Sequence, residues 1–121
     1  MGGYRVERVA EMIHRELAQR LLVEVKDPRL VPISITQVQV TRDLSRATVD
    51  FMPLGGGEVS EDLRQALDDA ARTLRGPIGR ALRLHHSPEL VFRHDTHTEE
   101  AFRVTRILEE LAAAQEPGGE E

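Results

Sequence analysis

Ile33-Ser34-Ile35-Thr36-Gln37-Val38-Gln39-Val40, followed by Ala47-Thr48-Val49-Asp50-Phe51-Met52, is the stretch whose reading decides the fold. Along a strand successive side chains point to opposite faces, so a half-buried strand alternates apolar and polar residues. Ile33 and Ile35 alternate with Ser34 and Thr36, but Val38 and Val40 alternate with Gln37 and Gln39 in the opposite phase. A bulge near Thr36-Gln37 would bring both pairs back to one face. In the second segment Ala47, Val49 and Phe51 share a face, and Thr48, Asp50 and Met52 take the other. Arg42-Asp43-Leu44-Ser45 is a tight connection, which predicts an antiparallel hairpin. Pro53 and Gly55-Gly56-Gly57 end it in a loop, and no Gly-Lys-Ser/Thr follows to make those glycines a phosphate cradle.

Upstream, Val6, Val9, Ala10, Ile13, Leu17, Leu21 and Leu22 recur mostly every three or four residues, which predicts one amphipathic helix from Tyr4 to about Val25, ended by Lys26-Asp27-Pro28-Arg29. Downstream, Ser60 is an expected N-cap, with Glu61 and Asp62 suited to the positive end of a helix dipole. Leu63, Ala66, Leu67, Ala70 and Leu74 supply that helix's apolar stripe, and Gly76-Pro77 is expected to kink or split it. Leu90, Val91 and Phe92 after Pro88 predict a short strand. Thr98-Glu99-Glu100 opens a last helix whose Phe102, Ile107, Leu108 and Leu111 are expected to pack inward. The order α-β-β-α-(kink)-α-β-α is that of an α+β, type II KH-like domain, a three-stranded sheet with helices packed on one face. Residues 1–114 make the domain, and residues 115–121 are expected to be an acidic disordered tail.

A length of 121 residues fits one such domain, and zero cysteines leave no disulfide framework, thiolate zinc site or thiol nucleophile. No apolar run approaches the roughly 18 residues of a membrane span, and the charged, amphipathic start is unlike a signal peptide, which implies the cytoplasm. The net charge of -5 argues against nucleic acid only until it is located. Residues 1–106 hold all 16 Lys and Arg and 16 of the 21 Asp and Glu, so the excess comes from Glu109, Glu110, Glu116, Glu120 and Glu121. Residues 72–93 carry Arg72, Arg75, Arg80, Arg83 and Arg93 against Glu89, a local balance of +4, with His85 and His86 beside it. Fifteen of the sixteen basic residues are Arg, whose planar fork can hold a phosphate through two hydrogen bonds.

Other chemistries are poorly supplied. His85, His86, His94 and His97 match no metal spacing, and Ser87, His94 and Asp95 lack a nucleophile elbow. Asp68-Asp69 and Glu99-Glu100 lie on helices, where neighbours project about 100° apart, so they suit solvated faces better than a carboxylate dyad. With one Tyr and three Phe, a stacking platform for single strands is not expected, and phosphate and shape recognition of folded RNA fits better.

Many short pieces resemble the ribosome-binding factor A family: Arg8-Val9-Ala10-Glu11, Glu16-Leu17, Asp27-Pro28-Arg29, Val38 to Val40, and Arg42-Asp43-Leu44-Ser45-Arg46-Ala47. Leu74-Arg75, Gly79-Arg80, Pro88-Glu89-Leu90, Phe92 and Asp95 extend the likeness, which runs from about residue 4 to residue 112. The resemblance implies a type II KH fold and a non-enzymatic factor, monomeric and without cofactor. It would bind the small (30S) ribosomal subunit and its 16S rRNA, assist late maturation, and be associated with growth in the cold. KH domains generally clamp the nucleotide backbone with a Gly-x-x-Gly loop, which this family replaces by an Ala-x-Gly kink. Here Ala70-Ala71-Arg72 lacks the final glycine. Gly76-Pro77-Ile78-Gly79 matches Gly-x-x-Gly literally but puts Pro and Ile where a cation and an amide are wanted. The candidate RNA contacts are Arg72, Arg75, Arg80 and Arg83, followed by Arg29, Arg42 and Arg46. A protein-interaction module, docking through the last helix and tail without direct RNA contact, remains the alternative.

Overall fold

In the computed structural model, which describes residues 2–115, the alternating stretches pair as their phases require. Strand β1 (Ile33–Val40) runs antiparallel to β2 (Arg46–Pro53), with Ile35 opposite Phe51 and Gln37 opposite Asp50. Thr36 is the extra residue between those pairs. The bulge restores the phase, so Val38 and Val40 face the same side as Ile35, opposite Val49 and Ala47. It also frees the Thr36 hydroxyl to donate to Asp95 Oδ2 at 2.5 Å.

Strand β3 (Glu89–His94) lies parallel to β2, giving the sheet order β1-β2-β3. A parallel pair needs a crossover, and helix α2 (Glu61–Ala81) provides it. Helix α1 (Gly2–Val23) covers the same face. Val9, Ile13 and Leu17 of α1 and Ala71, Leu74 and Ile78 of α2 pack on Val38, Ala47, Val49 and Leu90. Phe51, Leu63 and Leu67 form a second cluster, and Phe51 meets the Phe92 ring edge-on at 6.0 Å between centroids. The opposite sheet face is polar. There Asp50, only 5% exposed, takes the Arg93 fork at 2.8 and 3.1 Å.

Two expectations are corrected. First, of the kink or split expected at Gly76-Pro77 the split does not occur: one helix runs from Glu61 to Ala81 with Pro77 inside it, capped by Ser60, whose Oγ accepts from the Leu63 amide at 3.1 Å. Pro77 withdraws the amide that would bond the Thr73 carbonyl, but Leu74 and Ile78 on either side are buried in the same cluster, and that packing holds the helix through the proline. Gly76-Pro77-Ile78-Gly79 is therefore helix rather than a backbone clamp. A Cβ on Gly79 would lie 3.0 Å from the Ser87 Cα, so glycine serves there to let the following loop close on the helix. Second, the last helix, α3 (Thr96–Gln115), does not pack inward. It has no buried residue, and Phe102, Ile107, Leu108 and Leu111 are all exposed. Helix α3 ends at Gln115, and residues 116–121 of the expected tail lie outside the described residues.

Candidate nucleic-acid interface

Three separate parts of the chain meet at the end of the sheet where β1 turns into β2. Asp43 shapes the turn, its Oδ1 accepting from the Ser45 hydroxyl at 2.7 Å, the Thr41 hydroxyl at 2.9 Å and the Ser45 amide at 3.1 Å. Those bonds, the Ser45 hydroxyl first, hold the Asp43 carboxyl below its ordinary range. Leu44 adopts φ 62°, and the Ser45 carbonyl accepts from the Glu89 amide at 2.9 Å, tying the turn to the start of β3. Arg42 is left exposed. Beside it, a cleft of about 330 Å³ is lined by Arg5 and Val6 of α1, by Arg42, Asp43 and Leu44, and by Leu84, His85 and His86 from the segment after α2.

The end of α2 delivers the next cations. The Leu84 amide donates to the Gly79 carbonyl at 2.9 Å and the Arg83 amide to the Arg80 carbonyl at 3.1 Å, the two bonds of a Schellman ending. Arg83 occupies its left-handed position at φ 57°, where glycine is usual. Leu84 packs on the core, so the backbone is fixed while the Arg83 side chain stays in solvent.

The seven arginines singled out in the sequence fall into different electrical states. Arg42, Arg80 and Arg83 are exposed, and among the described residues no carboxylate pairs with them. Arg75 donates from Nε to the Ser87 carbonyl at 3.0 Å, which fixes its stem and leaves its charge uncompensated. Arg46 pairs loosely with Glu89 at 3.4 Å, a half-exposed contact worth well under 1 kcal/mol. Arg72 is paired with Asp69. Arg29 is the most committed: its Nη2 reaches Asp27 Oδ2 at 2.6 Å and Asp69 Oδ2 at 2.9 Å. Bonding to the Arg29 side chain and amide pulls the Asp27 carboxyl down to about 2, and Arg29 likewise lowers Asp69. The Asp50 fork removes Arg93 from the +4 stretch in the same way. The structure thus gathers Arg42 with His85 and His86 at the turn, leaves Arg83 exposed one residue before the cleft's Leu84, and places Arg72 and Arg29 in a carboxylate network farther along α2.

Arg5 was not singled out in the sequence. It joins the cleft because the first turn of α1 lies beside the β1–β2 turn, a long-range placement with no local signal. The four clustered histidines separate: the His85 and His86 rings stand 6.4 Å apart at the cleft, whereas His94 stacks on Phe51 and bonds Glu99 at the far end of β3. Among the described residues no group of three or more His, Asp or Glu is placed to hold a metal ion. Ser87 packs on Gly79, a strand's length from His94 and Asp95, so those three do not meet.

Residues 5–108 match the family model described as ribosome-binding factor A. The chain belongs to the ribosome-binding factor A family. Curated members include the factor of Desulforamulus reducens, 39% identical over 109 residues that span 90% of this chain and 91% of that one. The Heliobacterium modesticaldum factor is 40% identical over 111 residues, 92% of each chain. Among solved structures, the crystal structure of the Thermus thermophilus factor superposes with a TM-score of 0.63 at 25% identity, over 74% of this chain and 94% of that one. A homology model of the Thermus thermophilus factor, fitted into the cryo-EM map of its 30S complex, gives a TM-score of 0.57 at 26% identity, covering 69% of this chain and 88% of that one. These likenesses bear out the α+β, KH-like fold.

Proposed function

We propose that this family member is a non-enzymatic assembly factor of the cytoplasm that binds the small ribosomal subunit as a monomer, without cofactor, and assists late maturation of its 16S rRNA. The observation that carries the RNA contact is the meeting of Arg42 with Arg5, His85 and His86 around one cleft, with Arg83 exposed one residue before the cleft's Leu84 and no carboxylate paired with Arg42, Arg80 or Arg83 among the described residues. A phosphate reaching an unpaired guanidinium displaces only water and counterions, whereas at Arg29 or Arg72 it must compete with a carboxylate already in place. Because Gly76 to Gly79 is helical, backbone amides do not clamp the RNA there and the arginine side chains hold it instead. The 30S complex of the Thermus thermophilus relative supports the choice of particle.

The test replaces Arg42, Arg80 and Arg83 together by Gln, which preserves length and helix propensity. Losing three charge-assisted contacts should weaken small-subunit binding about a hundredfold and lower the salt slope by as much as about three. Arg72→Gln should do far less, since that guanidinium already answers to Asp69. A triple variant that folds, binds like the parent and keeps its salt slope would place the RNA surface elsewhere.

A further inference from the structure

Helix α3 spans twenty residues and buries none of them, although it carries Val104, Ile107, Leu108 and Leu111 at the i, i+3, i+4, i+7 spacing of a single apolar stripe. Side chains at this spacing lie on one face, and these four are roughly half exposed or more, with Leu108 at 61%. Among the described residues, the hydrogen bonds that fix the helix to the body lie near its start. The Thr98 amide donates to Asp95 Oδ1 at 2.9 Å, Glu99 Oε1 meets His94 Nε2 at 2.6 Å, and the Gly57 amide donates to Glu99 Oε2. Such a helix is marginal in water when it packs on nothing, so a partner face would supply what the body does not.

The charge of the helix that bears the stripe says what kind of partner. The cleft between α3 and the glycine loop, which none of the four stripe residues lines, presents Glu58, Glu99, Glu100 and Glu109 against Arg103 and Arg106. Arg103 is spent on Glu100 at 2.6 Å, and Glu110 adds a further carboxylate on the helix. The sequence beyond α3 contributes Glu116, Glu120 and Glu121. RNA would be repelled by this surface. A second copy would meet its own acidic charge, and four partly exposed aliphatic side chains fall well short of the roughly 800 Å² per partner that a stable dimer buries. Proteins bound to a polyanionic RNA particle are themselves basic, which matches the sign required.

We propose that α3 lays its Val104-Ile107-Leu108-Leu111 stripe into an apolar groove, rimmed by Lys or Arg, on a basic protein of the small subunit. This rests on the small-subunit reading above and adds a protein contact to the RNA contact, at the opposite end of the sheet. The mode is helix in groove, with apolar anchors giving affinity and the net acidic charge of the helix giving orientation.

Two measurements on the full chain with purified small subunits test it. A photo-crosslinking substitution, Leu108→benzoylphenylalanine, should attach to one basic ribosomal protein identified by mass spectrometry. Attachment to rRNA, to a second copy of this chain or to nothing overturns the proposal. The double variant Ile107→Gln/Leu108→Gln, which touches no core residue, should bind intact subunits about tenfold more weakly while binding protein-free 16S rRNA like the parent. An equal loss on protein-free rRNA, or no loss on subunits, also overturns it. If the parent itself fails to co-sediment with subunits, the small-subunit reading falls and this inference with it; if the parent binds and only the α3 outcomes fail, the small-subunit reading stands.

Discussion

At one end of the sheet Arg5, Arg42 and the pair His85 and His86 come together from three parts of the chain; at the other, α3 leaves the body carrying four glutamates and an apolar stripe that covers nothing. The first end is rigid where it matters. Its turn is closed by Asp43, the ending of α2 is locked by two backbone bonds, and Leu84 is packed on the core. The second end is held at its base and free along its length. Cations fixed on a rigid frame suit a target of regular charge spacing such as an RNA backbone, whereas a projecting amphipathic helix suits a groove that completes its folding. A net charge near zero for residues 1–106 conceals this division.

The largest contrast is expected when the same cut is made in both regions. Ile78 is 0% exposed at the centre of the cluster shared by α1, α2 and the sheet, and Leu108 is 61% exposed on α3. Ile78→Ala should cost about 2–5 kcal/mol in urea or thermal unfolding. Leu108→Ala should stay within about 0.5 kcal/mol, because no packed neighbour is lost and Ala favours helix. Comparable losses at the two sites would mean that α3 folds back on the body in solution.

A smaller effect probes the joint between the regions. Asp95 caps α3 and accepts the Thr36 hydroxyl, and these bonds, Thr36 first, bring its carboxyl down to about 2 from an ordinary value of 3.8. At Glu99 burial pushes the carboxyl up, but the Gly57 amide, His94 and Arg103 outweigh it and the net direction is down. Both groups are depressed on folding. Their contribution is therefore complete above the ordinary carboxyl range and is lost as pH falls from about 4.5 toward about 2. Hydrogen exchange at the Thr98 and Gly57 amides should accelerate, relative to amides of the core strands, through that window. Asp95→Ala should open the first turn of α3 already at neutral pH, at a cost of about 1 kcal/mol. Exchange that stays uniform across the molecule at every pH would deny the joint any independence.

What the sequence disclosed and what it withheld follow from the range of the forces involved. The bulge at Thr36 was legible because strand alternation is local and its phase changes only once. The Ser60 cap was legible for the same reason, since the hydroxyl needs only an amide three residues on. Pro77 misled because a local breaking tendency lost to the burial of Leu74 and Ile78, which depends on α1 and the sheet. The α3 residues misled in the opposite sense: periodicity reveals an apolar face but not whether anything lies opposite it. Within the candidate site, the local excess of arginine was visible. Which arginines were spoken for was not, because Asp69 lies 40 residues from Arg29, and Asp50 lies 43 from Arg93.

The smallest effect lies within one residue, where backbone and side chain have opposite interests. Arg83 sits at φ 57°, a conformation that costs an L-residue roughly 1 kcal/mol and glycine very little. Arg83→Gly should relieve that cost, while the looser unfolded chain takes back about 0.5 kcal/mol, for a net gain of a few tenths of a kcal/mol. In a domain of this size that is a rise of about 1 °C in Tm, within reach of differential scanning calorimetry. The same change removes one cation from the turn end, so small-subunit binding should weaken and its salt slope should fall by about one. Arg83→Asn separates the two effects, because Asn tolerates the left-handed region without carrying charge, and it should match glycine in binding. Stability and binding moving in opposite directions would show that the strain is retained for the charge it presents. If Arg83→Gly binds like the parent, the arginine merely occupies a helix ending, and the phosphate contact shifts to Arg42, Arg80 and Arg5.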